Sequence, residues 1–418
     1  MELKRALGRT GAVAAVLGVL AAGSPARADG PADVHWSPLS ISAAGNCTFP
    51  AKDVAATPWA LQRVLLDQLW QGGRTTGKDV LVAVIDTGVD DRNPQLQGKV
   101  QDGGTLLIDK SATPPAPAQG GAKTDPVGHG TKVAGIIAAG HRDGVGFVGL
   151  APDAKILTIR QNDDAGNGDV TTLAQAITSA VARGAQVINI SQDVRATGSS
   201  GDFGDGGALR RAVEGAEQAN VVVVAASGND GQDGTTYPAG YPSVLAVGAS
   251  DRNNERASFS EYGDFVKVAA PGVDMLSTVP GGGQCVDNGT SFAAPYVAGV
   301  AALLRGEHKD WTARQIRARI EQTAQRVERG PTKYLGWGVV DPVKAVTDTD
   351  PPTADPVADP AVRLAGAPIV PQPLGLGETQ ADRDRRTATY VLGTGVLLVA
   401  LLFGGAVVLR DHRRGRSD

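Results

Sequence analysis

A serine stands where a turn becomes a helix in residues 289–295, Gly-Thr-Ser-Phe-Ala-Ala-Pro. The Gly-Thr pair predicts a turn, and the apolar stretch 292–304 predicts a helix that begins at Ser291. The first N–H groups of a helix have no partner inside it, and they carry the positive end of the helix dipole. Ser291 therefore combines an exposed hydroxyl with a backbone donor that can face a developing oxyanion.

Two further motifs supply the partners that a serine nucleophile needs. Residues 80–85 indicate a buried strand that ends in Asp86, and His129 lies between two glycines at the start of an apolar helix. A serine hydroxyl is a weak nucleophile, so it needs a base and a group that fixes the tautomer of that base. The chain order Asp86, His129, Ser291 is one of three known orders for such a triad. We predict that Ser291 is the nucleophile, His129 the general base and then acid, and Asp86 the group that orients the imidazole.

An oxyanion donor is predicted from the strand 221–226, which is followed by Ser-Gly-Asn-Asp-Gly. Asn229 comes just past the strand end beside a glycine, so its amide can point at the developing charge. Removal of one such donor typically costs about 10²–10³ in turnover. For Asp86, His129 and Ser291 the alternative interpretation is a turn aspartate, a core histidine and a helix-capping serine. That interpretation requires three separate coincidences.

Apolar strands alternate with helical stretches through the middle of the chain. The predicted strands are 80–86, 154–160, 186–191, 221–226, 244–249 and 266–269, and the predicted helices are 130–140, 171–183, 206–219, 291–305 and 312–323. This alternation implies an α/β fold with a mainly parallel sheet covered on both faces. In such sheets functional groups gather at the carboxyl ends of the strands, where Asp86 and Asn229 lie.

These motifs resemble those of the subtilisin-like serine proteases, the subtilases. The similarity covers residues 76–348 and includes the segments 84–89, 129–135, 149–154 and 289–295. The resemblance implies a three-layer subtilisin-like fold and serine endopeptidase activity on a protein or peptide substrate through an acyl-enzyme. It also implies the roles already given to Asp86, His129, Asn229 and Ser291. No cofactor is predicted.

Both ends of the chain carry apolar segments. Three basic residues precede a short apolar run at 11–23, and Ala-Arg-Ala at 26–28 fits a signal-peptide cleavage site, with an uncleaved membrane anchor as the alternative. The uncharged segment 390–409 is long enough to cross a membrane. The predicted segments are therefore a signal peptide at 1–28, a transmembrane helix at 389–409 and a cytoplasmic tail at 410–418. We expect the body of the protein to lie outside the cytoplasm.

The remaining segments are an N-terminal extension at 29–75, helical around 58–70, a peptidase domain at 76–348 and a Pro-rich linker at 349–388. Cys47 and Cys285 are the two cysteines of the chain, and in an exported protein two cysteines usually pair. Two unpaired buried thiols are the alternative. A disulfide would fasten the extension near Ser291, which makes the extension a poor candidate for a removable inhibitory prodomain.

The order of these segments resembles that of the mycosins, which are membrane-anchored subtilases of actinobacterial type VII secretion systems. The resemblance implies a membrane-embedded secretion complex as the partner and a restricted set of secreted substrates. A protein of mainly structural function in that complex, with catalysis secondary, is the alternative. The net charge of −4, from 40 basic and 44 acidic residues, gives no case for nucleic-acid binding.

The predicted substrate pocket departs from the pattern of the wider family. Many subtilases have Leu-Gly after the serine of Val-Ile-Asn-x-Ser, whereas here Ser191 is followed by Gln192 and Asp193. Together with Gly228 and Asp230, these residues form the predicted pocket. Asp193 and Asp230 would favour a basic or polar side chain of the substrate, and two solvated loop acids are the alternative.

Two other features carry little functional weight in the sequence. Lys132 replaces a histidine that is common in the wider family, and we expect this change to have little effect. The acidic segment 163–169 resembles an oxygen-ligand loop but lacks the closing glutamate of an EF-hand. We interpret it as a solvated loop and predict no metal.

Overall fold

The computed structural model describes residues 47–70, 76–109, 116–117, 120–163, 168, 170–195, 207–360 and 377–415. The predicted signal peptide and most of the acidic loop 163–169 lie outside the described residues, as do parts of the extension, the linker and the tail. The chain divides into two units, Met1–Asp359 and Pro360–Asp418.

The secondary structure of the first unit alternates strands with helices. The strands are β1 (Leu81–Asp86), β2 (Val100–Thr105), β3 (Ile108–Asp109), β4 (Ala116–Pro117), β5 (Lys155–Arg160), β6 (Val187–Ile190), β7 (Val194–Arg195), β8 (Val222–Ala226), β9 (Thr236–Tyr237), β10 (Val244–Ser250), β11 (Val268–Pro271), β12 (Met275–Thr278) and β13 (Gln284–Asp287). The helices are α1 (Trp59–Gln62), α2 (Leu66–Trp70), α3 (His129–Ala138), α4 (Val170–Ala182), α5 (Ala208–Gln218), α6 (Thr290–Glu307), α7 (Ala313–Thr323) and α8 (Pro342–Thr347).

A seven-stranded parallel sheet organises these elements, in the order β11–β10–β8–β6–β1–β5–β2. The strands β5 and β6 are consecutive in this sheet along the chain, yet they flank β1 on opposite sides. Such a reversal of strand order opens a crevice at the carboxyl ends of the strands. The segments that follow β1, β6 and β8 therefore meet at one edge of the sheet. The parallel sheet confirms the predicted α/β architecture.

Apolar side chains are buried on both faces of the sheet. Successive side chains of a strand point to opposite faces, so one strand contributes to both. On β1, Val82 and Val84 belong to one apolar cluster, whereas Ala83 and Ile85 belong to the other. The helices α3 and α6 cover the first face, and α4 and α5 cover the second. The sheet thus forms the middle of three layers.

The described part of the extension is attached along its length to the rest of the first unit. Cys47 forms a disulfide bond with Cys285, with 6.2 Å between the Cα atoms, as the sequence predicted. The indole N–H of Trp59 donates to Val273 O at 2.9 Å, and that of Trp70 donates to Leu150 O at 3.1 Å. The helix expected around 58–70 is two short helices, α1 and α2, separated by a turn.

The first residues of the predicted linker are bound to α7 and to the segment that follows this helix. Arg314 contacts both carboxylate oxygens of Asp355, and Arg326 does the same with Asp359. Arg319 donates to the main-chain oxygens that flank residue 349. Planar guanidinium groups favour such bidentate contacts. Arginines of α7 and of the segment after it therefore hold residues 348–359.

The second unit contains one described helix, α9 (Gln380–Arg414). It is long and apolar enough to cross a membrane by length and composition. It begins about ten residues before the predicted span, because Thr379 and Asp382 form a capping box at its start. The arginines that precede the apolar stretch are therefore part of the helix.

Candidate active site

Asp86 and His129 lie at the carboxyl edge of the sheet. Asp86 is the last residue of β1 and is 3% exposed, and His129 is the first residue of α3. Nδ1 of His129 lies 2.7 Å from Oδ1 of Asp86. A carboxylate can only accept, so Nδ1 carries a proton and Nε2 of the neutral imidazole is left as an acceptor.

A second buried carboxylate, Asp125, fixes the start of α3. It accepts hydrogen bonds from the backbone N–H groups of Gly128 and Thr131, each at 2.8 Å, and from the Thr131 hydroxyl at 2.6 Å. The hydroxyl of Thr87 donates to Asp125 at 2.8 Å and lies 3.2 Å from Asp86 Oδ1. Asp125 therefore caps the helix that carries His129 and connects it to Asp86.

The sequence prediction missed Asp125. The usual preference for aspartate applies to the N-cap position itself, which in α3 is Gly128, and Asp125 lies three residues before it. Burial raises the pKa of the Asp125 carboxyl, and the neighbouring charge of Asp86 acts in the same direction.

The surroundings of His129 determine how readily the imidazole is protonated. Its burial opposes protonation, but the charge of Asp86 and the hydrogen bond to it outweigh that effect, and Asp125 adds to them. The pKa of His129 is therefore raised above its ordinary value. Lys132, one turn further along α3, acts in the opposite direction.

Ser291 is the second residue of α6, as the turn-to-helix pattern predicted. Pro295 has no N–H, so it cannot donate to the carbonyl of Ser291 four residues before it. The hydroxyl of Ser191 fills this place and donates to Ser291 O at 2.9 Å. Asn189, which is buried in β6, in turn donates to Ser191 Oγ at 2.8 Å.

The hydroxyl of Ser291 points to the main-chain oxygen of Ser191, to which it donates at 2.9 Å. Within the described residues no hydrogen bond joins it to His129, although the imidazole packs against the ring of Phe292 with 5.3 Å between centroids. Hydrogen bonds of this kind are often loose in the absence of substrate. The backbone N–H of Ser291 likewise has no acceptor in the described part of the chain.

Asn229 is held beside the start of α6. Its Oδ1 accepts from the Thr290 N–H at 2.8 Å and from the Thr290 hydroxyl at 3.0 Å. These two contacts fix the orientation of the amide, whose NH₂ group has no acceptor among the described residues. The Asn229 amide and the Ser291 N–H are thus two donors that both lie next to Thr290.

The predicted pocket residues take different positions around this site. Ser191 contacts Ser291 directly. The side chain of Gln192 is hydrogen-bonded to those of Gln161 and Asn162, which follow β5. Gly228 has a φ of +112°, and a Cβ there would lie 2.5 Å from Glu261 Cγ and 3.0 Å from Asp193 Oδ2. Asp193 therefore lies against Gly228, whereas Asp230 is exposed.

The extension reaches the rim of the site at Phe49. Its ring is so close to Gly128 that an added Cβ on this glycine would lie 2.9 Å from Phe49 Cε1. Gly128 also has a φ of +80°, a conformation that favours glycine. Since Gly128 immediately precedes His129, the extension forms part of the surface beside the imidazole, and the sequence prediction did not identify this contact.

Three comparisons identify the relatives of this chain. The Subtilase family model, Peptidase_S8, matches residues 77–338. Thermitase from Thermoactinomyces vulgaris is 40% identical over 285 residues, which cover 68% of this chain and 94% of thermitase. The crystal structure of MycP1 from Mycobacterium smegmatis matches with a TM-score of 0.64 and 31% identity, covering 77% of this chain and 92% of that one.

The structure of MycP3, a protease from the type VII (ESX-3) secretion system, matches with a TM-score of 0.62 and 33% identity, covering 72% of this chain and 90% of that one. The fold, the family model and these relatives agree with one another. The chain therefore belongs to the subtilase family, as a subtilisin-like serine endopeptidase related to the MycP proteases of type VII secretion systems.

Proposed function

We propose that this chain is a membrane-anchored endopeptidase that cleaves exported proteins outside the cytoplasm, in association with a type VII secretion system. The observation that carries the chemistry is the 2.7 Å contact between His129 and Asp86 at the sheet edge where α6 presents Ser291. The similarity to MycP1 and MycP3 supports the association with secretion.

In the proposed reaction Ser291 attacks the carbonyl carbon of the scissile peptide bond. Its side chain first rotates away from Ser191 O, and Nε2 of His129 takes the hydroxyl proton. Asp86 stabilises the resulting imidazolium, since a buried carboxylate hydrogen-bonded to Nδ1 favours the charged ring. The same proton then passes to the leaving amine, which leaves an acyl group on Ser291 Oγ.

The charge on the carbonyl oxygen would be stabilised by the Asn229 amide and the Ser291 N–H. Both groups are donors without an acceptor in the described residues. The hydrogen bonds to Oδ1 of Asn229 hold the amide in one orientation, so the direction of its NH₂ group is fixed. Preorganised donors of this kind do not have to reorient when the charge develops, so no free energy is spent on reorganisation. Water then attacks the acyl group with His129 as the base, and the free carboxylate product leaves.

The membrane arrangement is proposed from the second unit. The helix α9 would cross the membrane once, the signal peptide at 1–28 would direct export, and the tail from residue 410 would stay in the cytoplasm. Accessibility of single cysteines placed at residues 357 and 412 to an impermeant maleimide in intact cells tests this arrangement. Labelling at 412 but not at 357 would reverse the proposed orientation.

The catalytic proposal is tested with the full-length chain in detergent and a fluorogenic peptide library. Wild type should cleave, and Ser291→Ala should lose at least about 10³-fold in kcat while keeping its melting temperature. Cleavage by Ser291→Ala at the wild-type rate would refute the proposal.

A second candidate function is a structural subunit of the secretion complex. The contacts that attach the segments 47–70 and 348–359 to the rest of the first unit favour a rigid body for docking. Complementation of a deletion strain distinguishes the two functions. Secretion restored fully by Ser291→Ala would assign the essential function to docking, whereas failure of that variant would assign it to catalysis.

A further inference from the structure

Lys132 is a buried lysine close to the proposed catalytic residues. It lies one turn after His129 on α3, and its side chain is 8% exposed. Its Nζ lies 2.8 Å from Oδ2 of Asp287, the last residue of β13. A charge removed from water needs such a partner, because an unpaired buried ammonium group is strongly unfavourable.

Asp287 belongs to the segment that leads into Ser291. Its second oxygen, Oδ1, accepts from the N–H of Asn288 at 2.9 Å, so both carboxylate oxygens are engaged. Two residues later Gly289 begins the turn into α6. The orientation of Asp287 is therefore tied both to α3 and to the backbone that positions Ser291.

Strands β12 and β13 pair as an antiparallel hairpin, and the other side-chain hydrogen bonds that join this hairpin to α3 in the described residues come from β12. Ser277 Oγ donates to Lys132 O at 2.6 Å, and Thr278 Oγ1 donates to Thr131 O at 2.8 Å. Both hold the helix backbone to β12, which is not the strand that continues to Ser291. Of the side-chain hydrogen bonds in the described residues, the one from Lys132 to Asp287 joins α3 to β13.

We propose that Lys132 and Asp287 form a positioning pair, which holds the helix of His129 and the strand before Ser291 at the separation that proton transfer requires. The two residues touch no reacting atom and act through His129 and Ser291. A misplacement of about 1 Å in such a site can cost about 10²-fold in rate. This inference rests on the proposed function, because it assigns a role in the same reaction.

The pair also has an electrostatic consequence that a purely structural contact would lack. The charged groups that act on His129 are Asp86 at the end of β1, Asp125 before α3 and Lys132 on α3 itself. Lys132 opposes protonation of the imidazole, so its replacement by a neutral residue raises the pKa of His129. The acid limb of kcat/KM then moves to higher pH.

The test compares Lys132→Met, Asp287→Asn, their double variant and Lys132→Arg in the full-length protein. Lys132→Met should lower kcat by about 10- to 100-fold with little change in KM, and should move the acid limb to higher pH. The double variant should be no slower than the single variants, because both remove one interaction. Lys132→Arg, which keeps the cation, should recover most of the rate.

Lys155→Met is the matched control, since Lys155 lies at the amino-terminal start of β5 and donates to Gly98 O. Equal kcat values and acid limbs in Lys132→Met and Lys155→Met would overturn the inference. A wild type that does not cleave would instead refute the proposed function. In that case the NMR chemical shifts of the His129 imidazole decide: shifts that change in both Lys132→Met and Asp287→Asn but not in Lys155→Met support the positioning pair, and wild-type shifts in both variants overturn it.

Discussion

Ser191 and Ser291 exchange two hydrogen bonds, each 2.9 Å long. The hydroxyl of Ser191 donates to the carbonyl of Ser291, and the hydroxyl of Ser291 donates to the carbonyl of Ser191. The first bond compensates for Pro295, which has no N–H to offer that carbonyl. The second must break before Ser291 can reach His129. The end of β6 thus holds the proposed nucleophile from both its backbone and its side chain.

Replacement of Ser191 by alanine should therefore lower kcat. The carbonyl of Ser291 would be left buried without a donor, which costs about 1–3 kcal/mol and loosens the start of α6. We expect kcat to fall about tenfold with a smaller change in KM. Ser179→Ala on α4, on the opposite face of the sheet, is the control. An unchanged kcat in Ser191→Ala would show that this bond does not position the nucleophile.

Asp125→Asn should reduce both stability and turnover. Asparagine has the same size, but its NH₂ group replaces one of the two carboxylate oxygens. It would therefore face one of the two N–H groups that donate to Asp125, that of Gly128 or that of Thr131. Loss of this cap should cost roughly 1–2 kcal/mol in the free energy of unfolding. Urea unfolding measures it, with the exposed Asp53→Asn as the comparison. Equal unfolding midpoints in the two variants would contradict the capping role.

Phe49→Ala should change substrate binding rather than chemistry. The ring covers Gly128 beside His129, and its removal takes away about 1 kcal/mol of apolar contact from this rim. We expect KM for apolar peptides to rise about fivefold while kcat stays near the wild-type value. Leu65→Ala, an exposed position of the same extension, should leave both constants unchanged. A cleavage profile identical to wild type would show that the extension does not contact the substrate.

Glu321 on α7 predicts a pH dependence of stability. Burial raises its pKa to about 7, against the opposing charges of Lys267 and Arg317. Between the ordinary value of 4.5 and about 7 the folded chain binds more protons at this site than the unfolded chain. Stability therefore falls as pH rises through this window, by roughly 3 kcal/mol.

Glu321→Gln should remove that loss. The variant should match wild type near pH 4.5 and become the more stable protein at pH 7 and above, as measured by thermal unfolding across the window. A difference between the two proteins that stays constant over pH would contradict the raised pKa.

Local patterns in the sequence were sufficient to predict the sheet and the position of Ser291. Continuous apolar runs identified six of the seven central strands, because strands buried on both faces carry no polar alternation. The turn before residue 292 located the start of α6 within one residue. The strand β2 was missed because Val-Gln-Asp-Gly-Gly-Thr is polar and lies at the sheet edge, where backbone pairing with β5 compensates for weak burial.

Contacts between distant segments could not be predicted in this way. Nothing local to Lys132 indicates that Asp287, 155 residues further on, pairs with it, so the sequence suggested that the lysine has little effect. Phe49 and Gly128 likewise meet only through the folded chain. The pairing of Cys47 with Cys285 was predictable because the chain contains no other cysteine.

The most direct test of the central claim is labelling of the full-length protein with a fluorophosphonate probe, followed by mass spectrometry of the modified peptide. The proposed mechanism predicts modification of Ser291 alone, with a rate that falls at low pH as His129 is protonated, and no labelling in Ser291→Ala. Because the pKa of His129 is raised, the midpoint of that fall should lie above the ordinary imidazole value of 6.5. Labelling that persists in Ser291→Ala, or a folded wild type that does not react, would contradict the proposed triad.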